Sequence, residues 1–342
     1  WLACSSAPKM TARAPRRALA LHSLLAAFLA LRWLLSGSDG QGILLAQLEG
    51  TLPRGPPAPQ ERDLVAMGVP KEWAADVSDL AWRLRDLGDA DGLTHPLMLL
   101  RFLVSWKNVT KTEAVMRATK DWRGKVNVLG IMQEWGVPDG KAVWRRKPQT
   151  LRAQVADQHC CIGRLTCKTG SGGPIMVARA GHCDLDGIVR EGLGDLMMNQ
   201  FVFALEEILQ VTHATSVKRE ELVLGVVVVD FSGFSLSSLR HMSFARRCAA
   251  IMNLYYPELV TTVVIVNAPS LFGHIWRLTS FLLSENTQKK VRIFGRDFEE
   301  GLKAALGISK ADLPSCLGGI KSDDELPAGE RVPKGAGSSL DR

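Results

Sequence analysis

The run Leu222-Val223-Leu224-Gly225-Val226-Val227-Val228-Val229-Asp230 restricts what this chain can fold into more than any other stretch. An unbroken β-branched segment of this kind reads as a strand buried on both faces, so it requires a parallel or mixed sheet covered by helices. Past the turn Phe231-Ser232-Gly233-Phe234, a helix is expected over residues 236–253, carrying Arg240, His241, Arg246 and Arg247. Residues 262–266 form a second buried strand and residues 291–294 a third. Strand, helix and strand make a right-handed βαβ unit, and the fold class is therefore α/β.

At 342 residues with 46% hydrophobic content, the chain can bury a substantial core in one or two domains. Its net charge of +7 is unevenly placed. Residues 1–38 hold Lys9, Arg13, Arg16, Arg17 and Arg32 and no acid, so five of the seven charges lie there. The remainder is nearly balanced, which removes the main support for a nucleic-acid partner. Met10 is a candidate initiator, and Arg13, Arg16 and Arg17 precede a mostly apolar run over residues 18–35 that His22, Ser23 and Arg32 interrupt. This is the pattern of a signal peptide, a signal anchor or a transit peptide, while Arg32 argues against a clean span of about 20 apolar residues. Residues 1–38 are expected to be a targeting or membrane-anchor-like segment, an amphipathic helix packed on the domain being the alternative. The protein is then membrane-associated, on the cytoplasmic face or in an organelle according to the role of residues 10–38.

Residues 39–60, with Pro53, Pro56, Pro57 and Pro59, read as a linker. Residues 61–150 read as a helical lobe. Pro96 opens one helix, with Leu97, Leu100 and Val104 on one face. Thr110-Lys111-Thr112-Glu113 has the form of a capping box, followed by Val115, Ala118 and Trp122 at helical spacing. The stretch Lys168-Thr169-Gly170-Ser171-Gly172-Gly173-Pro174 has its lysine before the glycines and no Gly-Lys-Ser/Thr leading into a helix. It reads as a hairpin turn feeding a strand rather than a phosphate loop. Residues 202–210 are helical in pattern, and residues 323–342 read as a disordered polar tail.

Metal and catalytic signals are weak. The seven cysteines, at 4, 160, 161, 167, 183, 248 and 316, form no regular framework. Cys160, Cys161, Cys167, His182 and Cys183 lack the paired spacing of a zinc site, and adjacent cysteines in a strand point to opposite faces. Asp89-Ala90-Asp91-Gly92 opens like a calcium loop but lacks its twelfth-position glutamate. Asn108-Val109-Thr110 fits a glycosylation sequon but overlaps the expected helix cap. No Gly-x-Ser-x-Gly elbow, His-Glu-x-x-His or dinucleotide fingerprint is present. Asp230 at a strand end is where α/β enzymes place catalytic groups, and a hydrolase using Asp230 with a distant histidine is kept as an alternative. Its structural reading is a turn cap. His182, His213, His241 and His274 have no carboxylate or thiol at a telling spacing. No enzyme activity, cofactor or metal is expected.

Tyr256-Pro257-Glu258, Asn267-Ala268-Pro269, Phe272, Trp276, Thr287-Gln288-Lys289-Lys290-Val291 and Leu313-Pro314-Ser315-Cys316-Leu317-Gly318-Gly319, in this order and spacing, resemble the CRAL-TRIO lipid-binding domain. Among its members the secretory-pathway phosphatidylinositol transfer proteins are the nearest in kind. Leu99-Leu100-Arg101-Phe102-Leu103 and Trp122-Arg123 resemble the small helical lobe that precedes the CRAL-TRIO sheet. The resemblance covers residues 95–322 and implies a CRAL-TRIO-type mixed or parallel sheet covered by helices over residues 151–322, behind the all-helical lobe. It implies lipid binding and transfer or presentation, with phosphatidylinositol exchanged transiently at a membrane surface through a gated apolar pocket.

Carried over residue by residue, the resemblance gives Lys107, Glu258, Thr287 and Lys290 to the lipid head group. Next to Lys107 stands Trp106, where the family usually has arginine. A lysine and a threonine facing a phosphodiester, with a carboxylate accepting from inositol hydroxyls, make charge-assisted hydrogen bonds. Residues 226–229 and 263–266 would floor the pocket, Val227 and Val229 among them. Residues 271–283 match the gate helix, with Phe272, Ile275, Trp276, Leu278, Phe281 and Leu282 supplying its broad apolar surface. Gly225, Val227 and Met176, the last on what the family makes an edge strand, occupy positions that phosphatidylcholine-carrying members fill with hydroxyl residues. A more apolar second ligand, of sterol, tocopherol or isoprenoid type, suits that wall.

Overall fold

The computed structural model describes residues 58–88, 92–135, 148–159, 162–234, 240–270, 272, 289–323 and 326. The expected targeting segment, most of the linker and most of the tail lie outside these residues. Five helices come first: α1 (Glu61–Ala66), α2 (Lys71–Arg83), α3 (Pro96–Trp106), α4 (Val109–Lys125) and α5 (Val128–Glu134). Proline at the first position of α3 forfeits no hydrogen bond, and His95 Nδ1 accepts from Leu97 N at 3.2 Å. The apolar stripe expected on α3 is wider than one face. Leu97, Met98, Leu99, Leu100, Phe102, Leu103 and Trp106 are all buried, because neighbours surround this helix.

The start of α4 corrects the expected capping box. Asn108 is the cap, in extended backbone, and its Oδ1 accepts from Lys111 N at 2.8 Å. A Thr110 cap would have served the Glu113 amide two residues further on, so the helix starts earlier than the capping box implies. Glu113 instead accepts from Arg117 Nε at 3.1 Å within the helix. The asparagine of the sequon is thus engaged as a cap.

After α6 (Leu151–His159) come five strands in the order β1 (Ile162–Lys168), β2 (Pro174–Ala178), β3 (Gly225–Asp230), β4 (Val260–Val266) and β5 (Val291–Ile293). β1 and β2 are antiparallel and the remaining pairs parallel. The glycine-rich stretch forms the expected hairpin turn, closed by Thr169 N to Gly173 O and by Gly173 N to Thr169 Oγ1, each 2.9 Å. This hairpin lays β1 outside β2. The strand carrying Met176 is therefore interior, and β1 is the edge. β3 begins at Gly225 rather than Leu222, because Val223 N donates to Ser216 Oγ at 2.8 Å instead of to a neighbouring strand.

Helices α7 (Leu185–Arg190) and α8 (Gly194–Arg219) join β2 to β3, α9 (Met242–Tyr255) joins β3 to β4, and α10 (Glu299–Leu306) follows β5. Residues 202–210 prove to be the middle of the 26-residue α8. Right-handed crossovers between sequential parallel strands put α8 and α9 on one face of the sheet. Side-chain alternation then divides the apolar strands. Met176, Val227, Val263, Ile265 and Val291 share a core with Phe201 and Leu205 of α8 and with Leu97 and Leu100 of the lobe, and Val229 packs against it. Ile175, Val177, Val226, Val228, Val264 and Val266 face the other way, onto Phe298, Leu302 and Leu306. Residues 226–229 and 263–266, expected to floor one pocket, thus divide between the two faces, with Val227 and Val229 on the side that α8 covers.

α6 also presses a carboxylate into the interior. Asp157 Oδ1 accepts from Gln200 Nε2 at 2.7 Å, and burial pushes its pKa up to about 6 in spite of that bond. The unfolded chain releases this proton near the usual value of about 3.9, before the folded one does, so folding weakens as pH rises between the two values. Asp157→Asn keeps an acceptor for Gln200 without the charge. It is expected to gain about 2–3 kcal/mol over wild type at pH 8 and almost nothing at pH 4. Urea unfolding of both proteins at each pH measures the gap; an equal gap at both pH values overturns the assignment.

Candidate functional site

Glu258 sits just before β4 with a left-handed backbone, φ 47°. Two contacts hold it. Arg101 of α3, fully buried, donates to the Glu258 carbonyl and, at 3.2 Å, to that of Val223. On its other side Lys290 Nζ donates to Glu258 Oε2 at 2.9 Å, in a pair that is partly open to solvent. Lys290 immediately precedes β5, so two expected head-group residues, 32 positions apart, meet at the rim of the sheet. Burial lowers the Arg101 pKa to about 10, with the Glu258 charge opposing, and the guanidinium stays charged at neutral pH.

Lys107 is exposed at the C-cap of α3, φ 53°, and enters no ion pair with Glu258. Beside it Trp106 is buried, and Lys111 Nζ lies 4.7 Å from its ring centroid, so the position where the family has arginine holds a second lysine through a cation–π contact. Thr287 lies outside the described residues. Sequence reasoning missed Arg101 as the support of Glu258. Its signal was present, one cation inside the apolar run Leu99–Phe102 with no neighbour in sequence to pair it.

A second support lies under Tyr256-Pro257-Glu258. Glu206, at mid-α8 and 3% exposed in its side chain, accepts from Arg123 of α4 and, at 2.6 Å, from Tyr256 Oη. Trp122 stacks on Tyr255, ring centroids 4.1 Å apart and planes at 8°. Lobe, α8 and the Tyr-Pro-Glu segment are thereby one unit.

At the C-terminal ends of β3 and β4, Asp230 takes the role of a turn cap. Its Oδ1 accepts from Ser232 N and from Asn267 Nδ2, both at 2.8 Å, and its Oδ2 accepts from Ser232 Oγ at 2.6 Å. Asn267 has a left-handed backbone, φ 53°, at the point where the chain leaves the sheet. Phe272 is buried, with its ring 5.6 Å from that of Phe231. Ile275, Trp276, Leu278, Phe281 and Leu282, expected in the gate, lie outside the described residues.

Sequence spacing offered the histidines no carboxylate or thiol, and the fold brings two of them to partners 50 and 55 positions away. His182 Nε2 is 3.1 Å from Ser232 Oγ, and His241 Nε2 contacts Asp186 Oδ1. The His182 pKa is lowered by burial first and by Arg179 second, against the pull of Asp230. The order of the contacts is Asp230, Ser232, His182. A hydrolase triad places the imidazole between acid and hydroxyl, whereas here Ser232 gives its single proton to Asp230. Among the described residues no group of three or more His, Cys, Asp or Glu could hold a metal, and Cys167, Cys183, Cys248 and Cys316 carry no disulfide. No helix among them is long and apolar enough to cross a membrane.

Comparison with known proteins bears on the fold rather than on the individual site residues. Residues 168–319 match the CRAL/TRIO domain. The chain is 26% identical over 249 residues to "Sec14 cytosolic factor" of Schizosaccharomyces pombe, covering 72% of this chain and 81% of that one. It is 26% identical, again over 249 residues, to "CRAL-TRIO domain-containing protein T23G5.2" of Caenorhabditis elegans, over 71% of this chain and 32% of that one. It thus spans about a third of that longer relative, and likewise a third of "Protein real-time" of Aedes aegypti. The crystal structure of Sfh5 superposes with a TM-score of 0.50 at 12% identity, over 79% of this chain and 94% of that one. With its hairpin-led mixed sheet, its helical lobe and its likeness to relatives of Sec14 type, the chain carries a CRAL/TRIO domain at residues 168–319.

Proposed function

We propose that this protein binds one phosphatidylinositol at a time, with its acyl chains on the apolar face that includes Val227 and Val229, and exchanges it in transient contacts with membranes. The observation that carries this reading is the Glu258–Lys290 pair at 2.9 Å, held by Arg101 at the rim of that face. A phosphodiester draws Lys290 off the carboxylate, and Glu258 is then free to accept from the inositol hydroxyls. Thr287 and Lys107 complete the head-group set, and the gate residues from Phe272 to Leu282 cover the ligand. No chemistry on the lipid is required of any of these groups, and the activity is carriage rather than catalysis.

Incubating the full chain with mixed liposomes and weighing the lipid recovered with it by mass spectrometry tests the reading. Phosphatidylinositol is expected at near one to one. A charge-assisted hydrogen bond contributes about 1.5–3 kcal/mol, so Thr287→Ala/Lys290→Ala is expected to lower phosphatidylinositol affinity at least about tenfold. Equal loading of both proteins would reassign the face to a purely apolar ligand. That second reading, a carrier of a hydrophobic small molecule, is favoured by one observation: Met176 and Val227 are paired on β2 and β3 with no hydroxyl between them.

A further inference from the structure

Away from the sheet, α6 and α8 enclose a second site between them. A cavity of about 530 Å³ opens at their N-terminal ends, lined by Thr150, Leu151, Arg152, Gly192, Asp195 and Leu196. None of these residues belongs to a strand, so the cavity is separate from the sheet face proposed for lipid. Gln200 stands four residues beyond Leu196 on α8, and Asp157 five beyond Arg152 on α6. Each therefore lies about one turn, or 6 Å along its helix, inward from the lining. The two meet there, Gln200 Nε2 donating to Asp157 Oδ1 at 2.7 Å. The helices thus descend side by side from the cavity, with this pair across its inner end.

The pair is incomplete in two ways. Gln200 is 3% exposed, and no group of the protein donates to its Oε1. Asp157 receives one hydrogen bond, from Gln200, and no cation opposes the effect of burial on its carboxyl. Because Oε1 and Nε2 share a carbon, Oε1 lies within about 5 Å of Asp157 Oδ1. A buried acceptor without a donor, beside a carboxylate without a counter-charge, calls for a cation that donates. A primary ammonium meets both needs, since hydrogen bonds of ordinary length reach both oxygens from one nitrogen and its charge offsets the carboxylate. A hydroxyl has one donor and no charge, a quaternary ammonium has no donor, and a phosphate would repel Asp157. A divalent metal such as calcium wants about six oxygens or more. Outward from the pair, Leu196 and Leu151, the latter 64% exposed, offer hydrocarbon surface, while Arg152 and the Asp195–Arg247 pair at 3.9 Å keep their charges at the mouth.

We infer that Asp157 and Gln200 form a binding site for a small primary amine, whose hydrocarbon body lies in the cavity between Leu151 and Leu196. The site stands apart from the phosphatidylinositol reading and does not depend on it. With its pKa at about 6, raised by burial against the Gln200 bond, Asp157 is a carboxylate at neutral pH and presents the charge that an ammonium requires.

The test titrates hexylamine into the full chain at neutral pH by isothermal titration calorimetry, with 1-hexanol and hexanoate as controls of equal length. One hexylammonium per chain is expected, bound at least about tenfold tighter than either control. Asp157→Asn is expected to erase that advantage and to leave phosphatidylinositol loading as in wild type. Since this variant is expected to be the more stable protein above pH 7, lost binding is not lost folding. Leu151→Ala, at an exposed position, is expected to weaken hexylamine by about threefold by trimming the hydrocarbon wall, and with the wild-type ratio it decides the matter should Asp157→Asn not fold. Equal affinity for amine and alcohol, or none for either, overturns the site and leaves a buried water on Gln200. An amine preference that survives Asp157→Asn overturns it as well, because the amine is then bound elsewhere.

Discussion

Glu206→Leu is expected to destabilise the protein by about 3–5 kcal/mol, the range seen when one partner of a buried ion pair is removed. The leucine fills much the same volume, so the loss is electrostatic. Arg123, 13% exposed in its side chain, loses the carboxylate that both of its terminal nitrogens address, and the Tyr256 hydroxyl loses its acceptor. Burial and the neighbouring Glu206 hold the Tyr256 pKa well above its usual value, so the hydroxyl remains a donor across any practical pH. Adding Arg123→Leu should restore most of the loss, because a buried pair replaced whole by apolar groups is often neutral. Urea unfolding of wild type, both single variants and the double variant closes the cycle. A Glu206→Leu protein within about 1 kcal/mol of wild type would mean that the pair is already solvated. Glu258 is two residues beyond Tyr256, so the same variant should also weaken phosphatidylinositol loading without touching a head-group residue.

Glu206 shows what could and could not be read from the chain. The strands were legible because four valines in a row have few alternatives. Their faces were not, because an unbroken apolar run has no polar member to mark its parity, and only the register with β2 and β4 separates Val227 from Val228. α8 was recognised over residues 202–210 and missed beyond them, since Gln200, Thr212 and Ser216 are polar residues on its buried side and blur the helical period. The proposed head-group pair came from resemblance. Nothing in the spacing of Glu258 and Lys290 predicts a contact at 2.9 Å, and nothing in Arg164 and Glu207 marks them as interior, because a charge in a sequence reads as surface. Arg101 was the exception, a cation stranded among leucines.

Asp230 offers the sharpest division between carriage and catalysis. It is 1% exposed and gathers three donors, two from Ser232 and one from Asn267. These bonds tie the end of β3 to the first residue after β4, and Ala268 N and Asn267 N are tied in turn to Phe294 O and Gly295 O beyond β5. Residues 271–283, proposed above as the gate, follow this knot in sequence. Gly181 closes it from a third side, and a Cβ there would stand 1.8 Å from Ser232 O, so the loop after β2 has no room to relax toward a vacated site. Asp230→Ala strands three donors at about 1–3 kcal/mol each before relaxation, and a net loss of about 3–5 kcal/mol is expected. Asp230→Asn keeps one oxygen and turns an amide toward Ser232 Oγ, which can reverse its role and accept. Its cost should be about 1–2 kcal/mol. A cap therefore predicts graded stability, wild type above asparagine above alanine, with lipid exchange between vesicles accelerating in the same order as the gate loses its anchor. An acid in a hydrolase predicts a different pattern: native stability in the asparagine variant, and lipid turnover by wild type that the variant abolishes. Thermal unfolding and product analysis on the same three proteins separate the two, and the three bonds already made by Asp230 leave it little freedom to act as anything but the knot.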